Sequence, residues 1–424
     1  MLTDHLDPSF CGCDLPAETR PGLVSLDEAI RQALALAAPV PELEGLRLEQ
    51  AVGRVLAHPV RTPLPQPPFD NAAMDGYALA TGELVGAGPW LLPVAGRIAA
   101  GDAGGAVRSP GAALRILTGA PVPPDCDAVV MQEHVRRSGD AILLRERPHP
   151  WLNIRRRGED LALGGEMVGE GRLVGPREAA AIAATGAAEV CVRRRVRVAV
   201  LCSGSELRRP GQPLAPGQIY NSNRFGLLAA LSMPWIEAVD FGAVPDQPAE
   251  LAATLAAASR TADLVVSTGG VSVGDEDHLP AVARQTGGRI AELRIAMKPG
   301  KPLALGTLNG AAYLGLPGNP VAAFVCWTMI GSRVAERLAG LSPSRRARIV
   351  AKAARPLHRR PGRCEFRPAR LIGYDAFGAQ VIDFAGGSFS ARVKQLADAD
   401  GLVLIPADLD EVRKGDLLEF LPLP

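Results

Sequence analysis

The 424-residue chain lacks any uninterrupted apolar run of about 18 residues, so no membrane-spanning helix is expected. It lacks an excess of either charge. Its 46 Lys and Arg stand against 45 Asp and Glu, for a formal net charge of +1. A broad basic field for nucleic acid is therefore not indicated. The 6 histidines are dispersed and form no His-x-x-x-His pattern, which argues against a zinc hydrolase. No Gly-Lys-Ser/Thr closes a Walker A loop and no G-x-G-x-x-G opens a helix after a strand. P-loop ATP hydrolysis and nicotinamide chemistry both recede. The 7 cysteines are scattered and odd in number. They fit a reducing cytoplasm better than a disulfide framework. Cys11 and Cys13 are the one close pair, a weak metal signal without a second pair. The polar first ten residues do not read as a secretory leader.

What is present describes a multidomain globular protein. Apolar residues make up 47% and charged residues 21%, and the length suits about three domains at roughly 150 residues each. Residues 1–22 read as a disordered tail. Ser25-Leu26-Asp27-Glu28 is a capping box opening a helix to about Ala38. A second helix is expected over about Leu48–Ala57. Prolines 63, 65, 67 and 68 then forbid helix and mark a stiff boundary. Residues 63–160 look β-rich, with strands near 91–99, 113–117, 127–131 and 141–145. Residues 23–62 and 161–194 are expected to form one helix-containing hinge domain, with 63–160 inserted as a lid. Its later helix has Pro176 near the first turn and Gly186 as a stop.

From residue 195 the pattern changes. Apolar, β-branched strands alternate with helices up to about residue 342. That alternation predicts a doubly wound α/β domain with a mainly parallel sheet. Residues 343–424 lose it and read as a small C-terminal β domain. The fold class expected is thus α/β, in a multidomain chain.

Ligands of open α/β sheets bind beyond the carboxyl ends of the strands. Three loops are expected there: 202–207 (CSGSEL), 267–277 (STGGVSVGDED) and 315–321 (GLPGNPV). Glycine lets backbone approach a ligand, and helix N-termini offer free N–H groups to phosphate. One such loop is ordinary turn chemistry; three in one domain favour a phosphate-bearing ligand. Glu206, Asp246, Asp275, Glu276 and Asp277 follow the first three strands. Each reads as a helix cap or first-turn acid; together they suit Mg²⁺ held with waters and phosphate. Lys298 and Lys301 flank a Pro-Gly turn, either a solvated turn or a rigid cationic pair for an oxyanion. In the lid, Asp70, Asn71 and Asp75 cluster after the prolines, and Thr118 follows a strand; both places also suit simple turns.

Taken together, FDNAAMDGYA, RILTGAPVP, AVVMQEH, IRRRGED, PGQIYNSN, STGGVSVGDED, MKPGKP and GLPGNPV resemble the molybdopterin molybdenumtransferase family, bacterial relatives of the gephyrin E domain. The match covers roughly residues 23–424. The resemblance implies an enzyme that inserts molybdenum into adenylylated molybdopterin. It uses molybdate and Mg²⁺, releases AMP and forms the molybdenum cofactor. It implies an elongated homodimer, each active site lying between one subunit's α/β domain and the other's lid. The upstream adenylyltransferase and acceptor molybdoenzymes become partner candidates. The implied catalytic set is Asp75, Thr118, Glu206, Asp246 and Asp277, with Asp75, Glu206, Asp246 and Asp277 toward the metal. Substrate contacts are implied for Ser203, Gly269, Gly270, Ser272, Gly274, Lys298, Lys301, Pro317, Gly318 and Asn319. The chain departs from the family at Ala322, where Ser is frequent, and at Pro368, where Arg is usual. Ser388 and Ser390 are candidates for a family serine in the last domain. A scaffold protein on the same fold and a hydrolase that ignores molybdate are the competing readings.

Overall fold

The computed structural model describes residues 22–102, 108–270, 278–343, 349–384 and 390–423. The Cys11 and Cys13 pair lies outside them. The chain divides into two compact units. One contains the described residues of Met1–Ala57, Gly171–Gly175 and Cys191–Pro424; the other is His58–Glu170 with Pro176–Val190. Among the described residues no helix is long and apolar enough to cross a membrane.

The larger unit is built on the expected alternation. Its strands are β1 (Val196–Ser203), β2 (Ile236–Val244), β3 (Leu264–Thr268), β4 (Gly288–Arg294), β5 (Met297–Lys298), β6 (Pro302–Leu308) and β7 (Ala311–Leu316). Six of them form one sheet in the order β2-β1-β3-β7-β6-β4. The pairs from β2 to β7 are parallel. Strand β6 runs antiparallel to both its neighbours. In β1, Val198, Ala199, Val200, Leu201 and Cys202 are fully buried. Such a continuous apolar run marks a strand covered on both faces. The covering helices include α1 (Leu26–Ala35), α2 (Ser222–Ala230), α3 (Pro248–Thr261) and α4 (Leu279–Gln285). A fifth, α5 (Pro320–Cys326), passes through a π turn at Trp327–Gly331 into α6 (Ser332–Leu338).

Helix α1 starts as its capping box requires: Ser25 Oγ accepts from the Glu28 amide at 3.1 Å. Its Leu26, Ala29, Ile30 and Ala33 face is buried. The expected second helix is only Leu48–Ala51. Gly53 turns the chain with φ +79°, and its amide donates to Val174 O at 2.9 Å. The Leu56 amide likewise donates to Arg172 O at 3.0 Å. Cross-chain bonds thus replace the helical ones beyond Val52.

The last segment closes into a small barrel. Strands β8 (Ile349–Ala353), β9 (Cys364–Tyr374), β10 (Gln380–Phe384), β11 (Gly401–Ile405) and β12 (Leu417–Pro422) run in the order β9-β10-β8-β12-β11, and β11 pairs back onto β9. Its interior holds Ala369, Ile382, Val403, Ile405, Leu418 and Phe420. Closure removes the free edges that a small sheet would otherwise expose. Strand β5 adds to this barrel, parallel to β9, with Lys298 opposite Glu365.

The smaller unit contains a six-stranded sheet. Its order is Ala128–Met131, Gly76–Leu79, Ala113–Ile116, Trp90–Ile98, Ala141–Leu144 and Val135–Ser138. Four of these are the strands expected from sequence. The helix Pro176–Ala184 follows in the same unit, and Gly186 (φ +81°) lies just beyond its end.

Candidate active site

The exits of β1, β3 and β7 converge on a pocket of about 1010 Å³ in the larger unit. Each exit follows from a local rule. Beyond β1, the Asp246 carboxylate accepts from the Ser203 hydroxyl, and from the Ser205 amide at 3.0 Å. Asp246 lies just past β2, so these bonds clamp two adjacent strand exits together. Beyond β3, Gly269 has φ +86°. A Cβ there would sit 2.3 Å from the Ser203 carbonyl oxygen. Only glycine allows both the backbone angle and that approach. A Cβ on Gly318 would in turn lie 3.6 Å from Gly269 Cα, an ordinary van der Waals contact. Beneath this loop, Ser267 Oγ and the buried Tyr313 hydroxyl are 2.8 Å apart. Burial pushes the phenol up to about 12, so it stays a neutral hydrogen-bonding group.

Of the site residues expected from sequence, Ser203, Glu206, Asp246, Gly269, Gly270, Lys298, Lys301, Pro317, Gly318 and Asn319 all line this pocket. Ser272, Gly274 and Asp277, with Asp275 and Glu276, lie outside the described residues. Ser388 does too, whereas Ser390 and Ala322 line the pocket. Among the described residues no three His, Cys, Asp or Glu side chains form a metal-ligating group. Of the four carboxylates expected to share a metal, Glu206 and Asp246 line this pocket, and Asp277 lies outside the described residues.

Asp75 and Thr118 belong to the smaller unit and form a pair there. Asp75 Oδ1 accepts from the Thr118 amide at 2.7 Å and from its hydroxyl at 2.8 Å. The amide first, then the hydroxyl, hold the Asp75 carboxyl below its usual range. It is therefore an ionised acceptor at neutral pH.

The sequence reading missed several lining residues. Arg363 reaches the pocket from the loop entering β9, and Ile219 and Tyr220 lie on its rim. Asn223 also lines it, and its amide donates to Gly318 O at 2.7 Å, joining the start of α2 to the third loop. Asn221 caps α2, accepting from the Arg224 amide at 3.1 Å. The PGQIYNSN segment was itself a signal, since a capping Asn followed by an apolar helix marks a strand-exit loop. Glu365 gave none: its partner, Lys298, is brought near by the β5–β9 pairing.

The chemistry offered is specific. Two carboxylates, Glu206 and Asp246, and two lysines, Lys298 and Lys301, line one cleft with the glycine loops. The whole chain contains only five lysines, and two stand in this one turn. An ammonium is a compact point charge suited to an oxyanion. This defines a class: an α/β protein with a charged, glycine-lined cleft at the carboxyl ends of its strands, the place where ligands of such sheets bind.

Comparison with known proteins narrows the class. Residues 24–186 match the MoeA N-terminal region (domain I and II). Residues 199–337 match a probable molybdopterin binding domain, and residues 350–423 the MoeA C-terminal region (domain IV). The molybdopterin molybdenumtransferase of Haemophilus influenzae is 38% identical over 406 residues, covering 94% of this chain and 98% of that one. Molybdopterin molybdenumtransferase 2 of Mycobacterium tuberculosis is 38% identical over 388 residues, covering 89% and 94%. A molybdopterin biosynthesis protein from Pyrococcus horikoshii has a crystal structure that superposes with a TM-score of 0.79 at 26% identity, covering 95% and 100%. The chain belongs to the molybdopterin molybdenumtransferase family, a family of enzymes.

Proposed function

We propose that this enzyme inserts molybdenum from molybdate into the dithiolene of adenylylated molybdopterin, with Mg²⁺, and releases AMP. The observation that carries this reading is the pocket itself. It sets the carboxylates Glu206 and Asp246 and the cations Lys298 and Lys301 around one cleft lined by Gly269, Gly270 and Gly318. A substrate with an anionic phosphate linkage and a tetrahedral oxyanion matches that mixture of groups.

The donor set fits Mg²⁺. Glu206 and Asp246 offer hard carboxylate oxygens. Among the described residues neither is paired with a basic side chain, although cations pair with acids elsewhere in this unit. Mg²⁺ is commonly held by one or two carboxylates together with substrate phosphate and water. When bound, it supplies charge neutralisation at the phosphate linkage. The Ser203 and Ser205 contacts fix the Asp246 carboxylate before any ligand arrives. The glycine loops bring backbone close to phosphate. Lys298 and Lys301 hold molybdate by charge-assisted hydrogen bonds and offset the charge of its oxygens. The dithiolene thiols then form bonds to molybdenum while the displaced molybdate oxygen leaves as water with their protons, and a water molecule hydrolyses the phosphate–phosphate linkage to release AMP. No side chain is the nucleophile. Asp75, oriented by the Thr118 amide and hydroxyl, serves the reaction as an anionic acceptor.

The reading includes a homodimer in the cytoplasm, without nucleic acid or membrane, that hands its product to acceptor molybdoenzymes. Sedimentation equilibrium tests the dimer. Rapid-quench measurement of AMP from adenylylated molybdopterin, with and without molybdate, tests the reaction. Release accelerated by molybdate supports it; release at the same rate without molybdate overturns it.

A further inference from the structure

A buried carboxylate beneath the pocket has no part in the chemistry above. Glu365 lies on β9 of the barrel, and its side chain is 1% exposed. Three cations surround it. Lys298 Nζ is 2.9 Å from Oε1. Arg367 Nη2 is 2.8 Å from the same oxygen, and Arg359 Nε is 3.3 Å from Oε2. Both arginine side chains are buried, with 3% and 5% exposure, whereas Lys298 is 40% exposed. Arg359 is also anchored to the backbone oxygens of Leu409, Pro406 and Arg363.

Two arginines are enough to neutralise one structural carboxylate. The third cation comes from a different element and has a different character. It is half-exposed, lines the pocket and is placed by the pairing of β5 with β9, which sets Lys298 opposite Glu365. Lysine side chains are flexible, and an ammonium fixed on a buried carboxylate is ordered before a ligand binds. Lys301, across the Pro-Gly turn, has no acidic partner among the described residues.

We propose that Glu365 is a positioning residue for the oxyanion subsite: it anchors Lys298 on the barrel so that its ammonium is presented, preordered, to molybdate. This rests on the reading of Lys298 as an oxyanion ligand. It assigns the C-terminal barrel a part in the reaction beyond stability. The two arginine partners of Glu365 tie it into the barrel, and Lys298 is the partner through which it reaches the oxyanion. Removal of Glu365 therefore weakens the molybdate subsite and spares the subsite for adenylylated molybdopterin.

The test uses the full chain as wild type, Glu365→Gln, Glu365→Asp, Lys298→Met and the Lys298→Met/Glu365→Gln pair. Molybdate alone is titrated calorimetrically, and KM is measured separately for molybdate and for adenylylated molybdopterin. Glu365→Gln is expected to raise the molybdate Kd and KM about tenfold, the loss of one ordered charge-assisted contact. KM for adenylylated molybdopterin should stay within about twofold, and Glu365→Asp should recover part of the loss. In the Lys298→Met background, Glu365→Gln should add nothing. Losses that multiply in the double variant, or equal rises in both KM values, overturn the proposal. If Glu365→Gln does not fold, the same cycle is run with Glu365→Asp. A second readout is independent of ligand: the ¹³C-methylated lysine spectrum, with the Lys298 signal identified by its absence in Lys298→Met. A Lys298 signal unmoved by Glu365→Gln refutes the anchoring. A signal that moves while Lys298→Met binds molybdate normally preserves the anchoring and refutes the oxyanion reading instead.

Discussion

Gly269→Ala isolates the geometric core of the site. Alanine at φ +86° carries left-handed strain of about 1–2 kcal/mol. Its Cβ would also lie 2.3 Å from the Ser203 carbonyl oxygen. Real Cβ contacts essentially never fall under 3.0 Å, so the two loops must separate by at least about 0.7 Å. The contact is backbone on a clamped strand exit, with no flexible side chain to yield. A displacement of about 1 Å at a reacting site costs on the order of 10²-fold. The expected loss in kcat/KM is therefore about 10- to 100-fold. Gly310→Ala is the matched control. Gly310 has φ +93°, and its added Cβ would meet nothing within 4 Å. It carries the same strain without the clash. Both variants should lose a few degrees in Tm, at roughly 2–4 °C per kcal/mol. Only Gly269→Ala should lose activity. Equal activity in the two, measured by single-turnover AMP release and by scanning calorimetry, would refute the argument that close approach at Ser203 shapes the site.

Three further predictions concern charge. Lys298→Met should raise the KM for molybdate about 10- to 100-fold, the range for a contact to a charged group worth about 1.5–3 kcal/mol, as read from initial rates against molybdate concentration. Asp246→Asn should shift half-saturation by Mg²⁺ to higher concentration, measured by titrating Mg²⁺ in the rate assay; an unmoved curve would remove Asp246 from the cation site. Asp75 should titrate below 3.8, as followed by carboxyl ¹³C resonance. Because the folded value is the lower one, the Thr118 bonds contribute fully above 3.8 and are lost as pH falls through the lowered value. Thr118→Val removes the hydroxyl but keeps the amide, so the Asp75 midpoint should rise part of the way back.

The parts of the molecule that depend on local pattern were legible in the sequence. Alternating apolar runs and helices gave the doubly wound sheet, and Ser25 with Glu28 marked the start of α1. The three glycine loops and the Lys298–Lys301 turn were found because strand exits announce themselves by composition. Features made by long-range pairing were not legible. Helix propensity at 48–57 lost to bonds with residues 171–175, where Gly53 turns the chain. Arg363 and Glu365 fell in a segment read only as part of a small β domain, and it is the pairing of β5 with β9 that brings Glu365 to Lys298. Spacing along the chain likewise offered no reason to join Asn223 to Gly318.

The most direct test of the central claim is reconstitution of an apo molybdoenzyme from adenylylated molybdopterin, molybdate and Mg²⁺ with this protein. The account predicts molybdate-dependent activation accompanied by AMP release, with both lost in Lys298→Ala. AMP release that ignores molybdate and never activates the acceptor would contradict it in favour of a hydrolase. Tight substrate binding with neither AMP nor activation would contradict it in favour of a scaffold.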